Sequence, residues 1–423
     1  MRFAAELVHV KIRIIHQYFH PDLSATSQVI SQVAFYLAGQ QEEVSVICSR
    51  NRYDGSQTDR LKARETLRGV DIQRCWGPSL ARRSPAGRVL NMLSFCLSAA
   101  GRALLAPRVD TVVFLTDPPI FSVLGSLLKR LRGERFVYVL MDVYPQIAVR
   151  AGVLKERSPV ERILRLIAGL ALREADTVVV LGEDMKEVAI RSGADPEKVV
   201  IIRNWSNPQK IFPVAPDDNR LRRDLGLEGR FVIEYSGNLG ISHDFQDLMA
   251  VAEEFADKED IRFLFTGDGV RLKEVREFST LRRLPNVMFL PYQDASVLAE
   301  SLSAGDVHFV SLRSGFEGLV VPSKVYGIMA AGRPVIYQGE GSGEVARMVE
   351  REKIGVVVPP GDRDGLRDGI LFLYRHGEAR KRMGDLARTV LLEKYSVEIG
   401  LARYREVLTP DSSGMDFSQH FLD

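Results

Sequence analysis

The sequence predicts an α/β protein with two doubly wound, Rossmann-like domains that face each other across a cleft. Its 423 residues exceed what one hydrophobic core normally organises, so two domains are expected. Short runs rich in Val and Ile alternate with helical stretches, which is typical of mostly parallel sheets covered by helices on both faces. The alternation restarts after a polar, proline-containing stretch at 207–219, which indicates two units joined by a linker.

The first unit is expected to cover residues 1–205 and the second residues 206–394. A helix is predicted over 27–38, because apolar residues recur there on one helical face. The strands predicted for the first unit are the apolar runs at 12–15, 44–47, 69–72, 111–115, 135–140, 177–181 and 199–202. Those predicted for the second unit lie at 231–235, 261–265, 286–290, 307–310, 334–337 and 355–358.

Composition argues against several classes of function. A net charge of +2 gives no basis for nucleic-acid binding. The three cysteines, Cys48, Cys75 and Cys96, lie far apart, which argues against a disulfide framework and a zinc site. No D-x-D motif or His/Cys/Asp cluster has metal-ligand spacing, so neither a metal nor a cofactor is expected. The best membrane-span candidate, 89–105, contains an asparagine and an arginine, so we expect a cytoplasmic protein that is soluble or peripheral.

The segment 313–338 is the most informative about function. A predicted strand enters a loop with two glycines, and a helix is expected to begin near Ser323, since proline and serine favour a first turn and its cap. Free N–H groups and the positive end of the helix dipole favour phosphate there. Glu317 can hydrogen-bond a hydroxyl-rich group, and Lys324 can neutralise a phosphate. The alternative is an ordinary strand-to-helix loop with solvated side chains.

Two more glycines, Gly237 and Gly240, follow the predicted strand 231–235. Glycine lets a ligand approach the backbone closely, although the pair also fits a plain structural turn. The end of the next strand, at 266–269, predicts mainly a turn.

Polar residues also follow strands of the first unit. Thr26, Ser27 and Gln28 lie between the first strand and its helix, where they can donate hydrogen bonds to a ligand or simply cap the helix. Asp142 follows a later strand, so it is expected in the cleft as a base for an acceptor proton, or else as the cap of the next turn. Asp117, at the end of the preceding strand, is a weaker candidate.

These segments resemble family 4 of the GT-B glycosyltransferases, over nearly the whole chain to about Tyr404. The sequence MAAGRPVI at 329–336 matches the A-x-G-x-P-V ending of a helix in that family. The other matching motifs are YFHP at 18–21, ATSQ at 25–28, DVYP at 142–145, YSGNLG at 235–240, LFTGDG at 264–269 and LPY at 290–292. The resemblance is greatest to the branch that builds bacterial capsule, O-antigen and colanic-acid-type polysaccharides.

The resemblance implies a GT-B fold and a metal-independent, retaining transfer of a sugar from a nucleotide-diphosphate donor held by the second domain. Residues 395–409 would form a helix that crosses back to the first domain, followed by a tail at 410–423. The implied donor contacts are Gly237, Asn238, Gly240, His243, Arg203, Gly267, Pro291, Tyr292, Gly318, Leu319, Ser323 and Tyr326. Glu317, Asp142 and Lys324 are the expected catalytic residues, and the acceptor side is expected at His20, Thr26, Ser27 and Gln28.

The chain departs from the family pattern at its paired glutamates, which are separated by seven residues. Counted back from the A-x-G-x-P ending, the second glutamate falls on Gly327 and the first on Leu319. Glu317 lies two residues earlier, so it can replace the first glutamate only if the loop follows a different path.

A second departure concerns the arginine and lysine that follow the glycine loop in the family, which fall on Asn238 and His243. Lys324, Arg203 or a basic residue of the facing domain would then have to bind the diphosphate. Two alternatives to a transferase stay open: a UDP-sugar 2-epimerase of the same fold, and a catalytically degenerate partner subunit.

A basic, apolar stretch at 82–108 carries arginines on both sides of a leucine-rich segment. Lys129, Arg130, Arg132 and Arg135 add a second basic patch. Such a surface can lie on anionic lipid and bring the enzyme to a lipid-linked saccharide acceptor. The alternative is a buried helix pair with a solvated basic rim. The preference for UDP in the donor rests on the resemblance alone.

Overall fold

The computed structural model describes residues 9–22, 24–52, 61–78 and 85–409, which form two α/β units. The expected tail at 410–423 lies outside the described residues, as do Arg82 and Arg83 of the basic stretch.

The N-terminal unit has an eight-stranded sheet with the order β3-β4-β2-β1-β5-β6-β7-β8. Its strands are β1 (Lys11–Ile15), β2 (Glu43–Ser49), β3 (Arg64–Leu67), β4 (Val70–Cys75), β5 (Thr111–Leu115), β6 (Arg135–Val139), β7 (Thr177–Val180) and β8 (Val199–Ile201). Its helices are α1 (Ala25–Gly39), α2 (Pro85–Leu105), α3 (Val123–Arg132), α4 (Gln146–Arg150), α5 (Pro159–Glu174) and α6 (Glu183–Arg191). All seven predicted strands are present, and β3, which pairs antiparallel with β4 at the sheet edge, was not predicted.

The C-terminal unit has a parallel six-stranded sheet with the order β11-β10-β9-β12-β13-β14. Its strands are β9 (Phe231–Ser236), β10 (Ile261–Thr266), β11 (Val287–Leu290), β12 (Val307–Ser311), β13 (Val335–Gln338) and β14 (Gly355–Val358). Its helices are α7 (Arg220–Asp224), α8 (Gln246–Glu254), α9 (Leu272–Arg282), α10 (Leu298–Ala304), α11 (Lys324–Ala330), α12 (Glu344–Glu352), α13 (Arg363–Arg375) and α14 (Gly377–Lys394). The final helix, α15 (Val397–Leu408), crosses back to the N-terminal unit. The prediction of two doubly wound units is confirmed.

Both sheets are covered by helices, which explains why their strands are apolar without alternation. All five residues of β5 and all five of β12 are buried. Asp142 and Val320, which follow β6 and β12, form an isolated antiparallel bridge. The carboxyl edges of the two sheets therefore face each other, and this is where open α/β sheets bind ligands.

Helix α15 ends the described chain on the N-terminal unit, where it packs against α1. The Arg135 guanidinium donates to the carbonyl of Val407 at 2.7 Å, and the Thr111 hydroxyl donates to that of Leu408 at 3.2 Å. Arg135 is thus tied to α15 and is not part of an exposed basic patch, which corrects its predicted place. Ser206 and Ser396 pair in a parallel bridge, so the two passages of the chain between the units lie side by side.

A buried polar cluster lies inside the C-terminal unit, around Glu234 of β9. Its carboxyl oxygens accept from the Thr266 hydroxyl at 3.1 Å and from the Gly305 amide at 3.0 Å. His308 Nε2 lies 3.7 Å from the carboxyl group. Burial raises the pKa of Glu234 to about 8 and lowers that of His308 to about 4, so both groups are neutral at pH 7.

We expect Glu234→Gln to remove a loss of stability that the wild type shows as the pH rises from about 4.5 to about 8. Between the unfolded pKa near 4.5 and the folded pKa of about 8, the native protein holds one extra proton, so stability falls as pH rises. Glutamine mimics the protonated acid, and the variant should gain about 2 kcal/mol relative to wild type between pH 6.5 and 8.

Urea unfolding at several pH values measures this difference, with the exposed Glu259→Gln as the control. An equal pH slope in Glu234→Gln and wild type would show that Glu234 is already ionised in the native protein.

Candidate active site

Lys324, the first residue of α11, places its amino group beside the glycine loop of the C-terminal unit. Its ammonium donates to the Tyr235 hydroxyl and lies 3.6 Å from the centre of that ring. Burial lowers the pKa of Lys324 well below its usual range, and no carboxylate of the described residues forms an ion pair with it. A desolvated ammonium without a counter-ion favours binding of an anion.

Tyr235, at the end of β9, links Lys324 to the glycine loop and was not predicted as a site residue. Its hydroxyl donates to the carbonyl of Asn238 at 2.7 Å, and its ring packs edge-on to that of His243. His243 Nδ1 lies 2.5 Å from the carbonyl of Ser311. Burial, together with the charge of Lys324, lowers the pKa of His243 to about 3. His243 is therefore neutral and does not replace the positive charge of the family lysine, whereas Lys324 can.

The glycines of the loop serve two purposes. Gly237 has a φ of +123°, and a Cβ there would lie 3.7 Å from Lys324 Nζ, so this backbone borders the ammonium. Gly267 has a φ of +137°, and a Cβ there would lie 2.1 Å from the carbonyl oxygen of Gly237. Gly267 thus allows the loops after β9 and β10 to pack together, in agreement with the turn predicted at 266–269. Gly240 continues the first loop, and its Cβ position lies 3.2 Å from the Asn238 amide.

Three predicted donor contacts form the exposed rim of this region. Pro291 and Tyr292 follow β11, and the Tyr292 side chain is 58% exposed. The Tyr292 hydroxyl donates to the carbonyl of Asp268 at 3.4 Å, which places it beside the loop after β10. Ser323 is exposed at the N-cap of α11 and makes no side-chain capping bond.

The loop before α11, which contains the predicted donor contacts Gly318 and Leu319, packs against the N-terminal unit. The Gly318 amide donates to an Asp184 carboxylate oxygen at 3.2 Å, and the Leu319 amide donates to the carbonyl of Phe316 at 3.0 Å. The carbonyl of Leu319 accepts from the Val143 amide at 2.9 Å. These two amides already have hydrogen-bond partners within the protein, so in this conformation neither is free to donate to a ligand.

Glu317 faces the space between this loop and β13. One carboxylate oxygen accepts from the Gly315 amide at 2.7 Å, whereas the other is buried without a hydrogen-bond partner among the described residues. The Tyr337 hydroxyl is also buried, without a hydrogen-bond partner among the described residues, and burial, followed by the charge of Glu317, raises its pKa. A Cβ at Gly343 would lie 3.4 Å from the Tyr337 hydroxyl and 3.7 Å from Glu317 Cγ. Two unsatisfied polar groups therefore border one small space.

Two helix N-termini meet between the units and cap each other. The Glu344 carboxylate accepts from the Glu183 amide of α6 at 3.0 Å, and the Asp184 carboxylate accepts from the Glu344 amide of α12 at 3.1 Å. Arg203 donates to Glu344 at 2.6 Å, and Arg347 lies 3.4 Å from it. Arg203 is thus paired within this interdomain contact, and its role as a donor contact stays a prediction.

On the N-terminal side of the cleft, Asp142 follows β6 as predicted. Its amide and that of Met141 both donate to the Thr116 hydroxyl at 3.3 Å. Burial, and to a lesser degree the charge of Asp117, raises the pKa of Asp142 to about 7. A carboxyl group with this pKa can exchange a proton near neutral pH.

The structure favours packing roles for several other predicted site residues. The Ser27 hydroxyl is buried and donates to the carbonyl of Asp22 at 2.7 Å, so it anchors the loop instead of facing a ligand. The His20 ring packs edge-on to Phe35. Tyr326 is fully buried against Tyr395, because its helix packs on the interior of the C-terminal unit.

Thr26 is partly exposed and Gln28 exposed on the first turn of α1. Of the predicted acceptor-side residues, these two retain surface that a ligand can reach.

Within the described ranges, no group of three or more His, Cys, Asp or Glu residues could hold a metal ion. None of the helices in those ranges has the length and apolar character needed to cross a membrane.

Comparison with known proteins decides the family. Residues 24–205 match the family model "Glycosyl transferase 4-like domain", and residues 217–390 match "Glycosyl transferases group 1". WbjE of Pseudomonas aeruginosa, named a probable glycosyltransferase, is 30% identical over 308 residues, covering 72% of this chain and 76% of that protein. The chain belongs to family 4 of the GT-B glycosyltransferases.

Further relatives of this family 4 glycosyltransferase agree with that assignment. WcaI of Escherichia coli K12, whose name refers to colanic acid biosynthesis, is 26% identical over 396 residues, or 89% of this chain and 96% of that protein. HepE of Anabaena, solved in complex with UDP, superimposes with a TM-score of 0.72 at 16% identity, covering 94% of this chain and 99% of that one. HepE shows the shared fold, whereas the matches to the family model, WbjE and WcaI support glycosyl transfer in polysaccharide biosynthesis.

Proposed function

We propose that this glycosyltransferase moves a sugar from a UDP-sugar to a lipid-linked glycan acceptor at the inner face of the cell membrane, with retention of configuration and without a metal. The observation that carries the donor assignment is the partly buried amino group of Lys324, which has no ion-pair partner among the described residues and borders the loop at Gly237. HepE has also been solved with UDP-glucose, and the name of WcaI refers to a cell-surface polysaccharide, which supports the donor and the pathway class.

In the proposed reaction, the bond between the sugar and the diphosphate breaks while negative charge builds up on the leaving diphosphate. Lys324 stabilises that charge, and its partly buried position strengthens the electrostatic interaction. The leaving phosphate and Asp142 share the removal of the acceptor proton.

Selection of the sugar is assigned to the space beside Glu317 and Tyr337. The free carboxylate oxygen of Glu317 accepts from one sugar hydroxyl, and the Tyr337 hydroxyl can donate to or accept from another. The interdomain contact of Asp184 and Glu344 keeps the cleft closed during transfer, which limits hydrolysis of the donor by water.

A purified-enzyme assay with UDP- and GDP-sugars, a lipid-linked saccharide extract and mass-spectrometric product detection tests this proposal. We expect acceptor-dependent transfer from a UDP-sugar that persists in EDTA, and a product with the anomeric configuration of the donor. Conversion of the donor sugar to an epimer without acceptor would instead support the 2-epimerase alternative. Absence of both reactions would support the degenerate-subunit alternative.

We expect the pH profile of transfer to depend on Asp142. With its pKa raised to about 7, the carboxyl is protonated and unable to accept a proton at lower pH, so kcat/KM should rise up to about pH 7 and then level off. Asp142→Asn should abolish that rise and lower the rate about tenfold at pH 8, a limited loss because the leaving phosphate also accepts the proton.

The matched control is Asp195→Asn, which changes an exposed carboxylate of the same unit. An unchanged pH profile in Asp142→Asn would remove this residue from the proton transfer.

A further inference from the structure

The proposed reaction leaves unexplained one surface of the N-terminal unit, formed by the outer sides of α2, α3 and α5. Right-handed crossovers from β4 to β5, β5 to β6 and β6 to β7 place these helices on the same face of the sheet. They adjoin one another: α3 packs on α5, and the Arg132 guanidinium of α3 donates to the carbonyls of Ala103 and Ala106 at the end of α2, at 2.9 and 3.0 Å. We call this surface the three-helix face.

The three-helix face is unusually apolar. Twelve of the 23 exposed large apolar side chains of the described residues belong to its three helices. On α3, Val123, Leu127 and Leu131 repeat every four residues and form an outward stripe. Leu97 of α2 and Leu166 of α5 are 77% and 69% exposed. An apolar patch of this kind marks an interaction site.

Charge separates this face from the rest of the protein. The three helices contain eight basic residues and two acidic ones, a net charge of +6, whereas the whole chain carries +2. Of the two acids, Glu161 is 2% exposed and Glu174 is paired with Arg130. Glu134 and Asp176, which immediately precede β6 and β7, form ion pairs with Arg132 and Lys129 of α3. Including these two acids still leaves the face with a net charge of +4. The exposed bases without an ion-pair partner among the described residues are Arg102, Arg162 and Arg173.

The position of this face suits a membrane. Helices that connect parallel strands run opposite to them, so all three helices begin at the carboxyl edge of the sheet, level with the cleft. Trp76 lies at this edge after β4 and is 69% exposed, and its neighbour Gly77 abuts Ser94 of α2. Tryptophan favours the headgroup region of a bilayer.

We infer that the three-helix face docks on an anionic lipid bilayer, with its leucines in the interface and its arginines on the headgroups. This inference rests on the proposed function, because it supplies the orientation in which a lipid-linked acceptor reaches the cleft. It enlarges the surface expected from the sequence by adding α5, and it excludes Arg132 and Arg135, whose guanidinium groups bind backbone carbonyls.

The test is flotation of the full chain with phosphatidylcholine vesicles that contain or lack phosphatidylglycerol, at low and high salt. The variant Leu97→Gln/Leu131→Gln/Leu166→Gln changes one exposed leucine on each helix. The matched control is Leu281→Gln, a leucine that is 79% exposed in the C-terminal unit. We expect the wild type and the control to bind only the anionic vesicles, more weakly at high salt, and the triple variant to bind about tenfold or more weakly.

Failure of wild type to float with anionic vesicles, or equal binding by the triple variant, would overturn the inference. The inference would also be overturned if the wild type formed a dimer that did not bind vesicles and the triple variant were a monomer. The face would then bind a second copy of the chain. Binding of UDP to each variant is measured in parallel. Loss of vesicle binding with UDP binding retained supports the docking face, whereas failure of wild type to bind UDP would count against the proposed function alone.

Discussion

Replacing Lys324 by methionine is expected to lower kcat/KM for sugar transfer by about 100-fold to 1,000-fold, or roughly 3–4 kcal/mol of transition-state stabilisation. Methionine keeps most of the apolar stem but removes the charge that faces the leaving diphosphate. The substitution should not destabilise the protein, because it removes a desolvated ammonium that has no ion-pair partner in the described chain. Activity is therefore expected to fall while the melting temperature stays constant or rises.

Steady-state kinetics with the donor varied, combined with thermal unfolding, measure both effects. Lys273→Met is the matched control, since that lysine is 85% exposed on α9 of the same unit. Transfer by Lys324→Met at more than a tenth of the wild-type rate would mean that another group neutralises the leaving diphosphate.

The second large effect is expected for Glu344→Ala. This change removes a carboxylate of the C-terminal unit that accepts hydrogen bonds from the N-terminal unit. The change leaves Arg203 without its 2.6 Å ion pair and the first amide of α6 without its acceptor. Breaking a buried charge pair by removing one partner costs about 3–5 kcal/mol. Since these contacts cross between the units, we expect a lower unfolding temperature and a more open arrangement of the two units.

Small-angle scattering and chemical denaturation test this expectation, with Glu350→Ala as the control. Glu350 lies on the same helix and is exposed, so its removal should change neither quantity. If Glu344→Ala kept the wild-type stability and radius of gyration, the contact of α6 and α12 would not hold the units together.

The sequence allowed nearly all strands to be predicted, because strands buried on both faces appear as short apolar runs. The missed strand, β3, shows the limit of that signal. Its sequence RETL is polar at three of four positions, and its residues are exposed or half-buried at the sheet edge. An edge strand of this kind is stabilised by its partner β4 and not by an apolar run of its own.

The site was harder to predict where a residue's role depends on a distant partner. Lys324 and the glycine loop could be predicted as site residues, since each follows a strand end in a recognisable motif. Arg203 was assigned to the donor because its ion pair with Glu344, 141 residues later, has no local signature. Glu344 and Asp184 themselves look like ordinary acids of a first helical turn. Tyr235 could have been noticed as the polar residue that ends β9, next to the glycines.

The central claim is that the ammonium of Lys324 binds the donor diphosphate beside the loop at Gly237. Co-crystallisation of the wild-type chain with UDP tests it directly. A diphosphate oxygen within hydrogen-bond reach of Lys324 Nζ, with the base toward Tyr292, is the predicted result. UDP bound elsewhere, with Lys324 still donating only to Tyr235, would contradict the account.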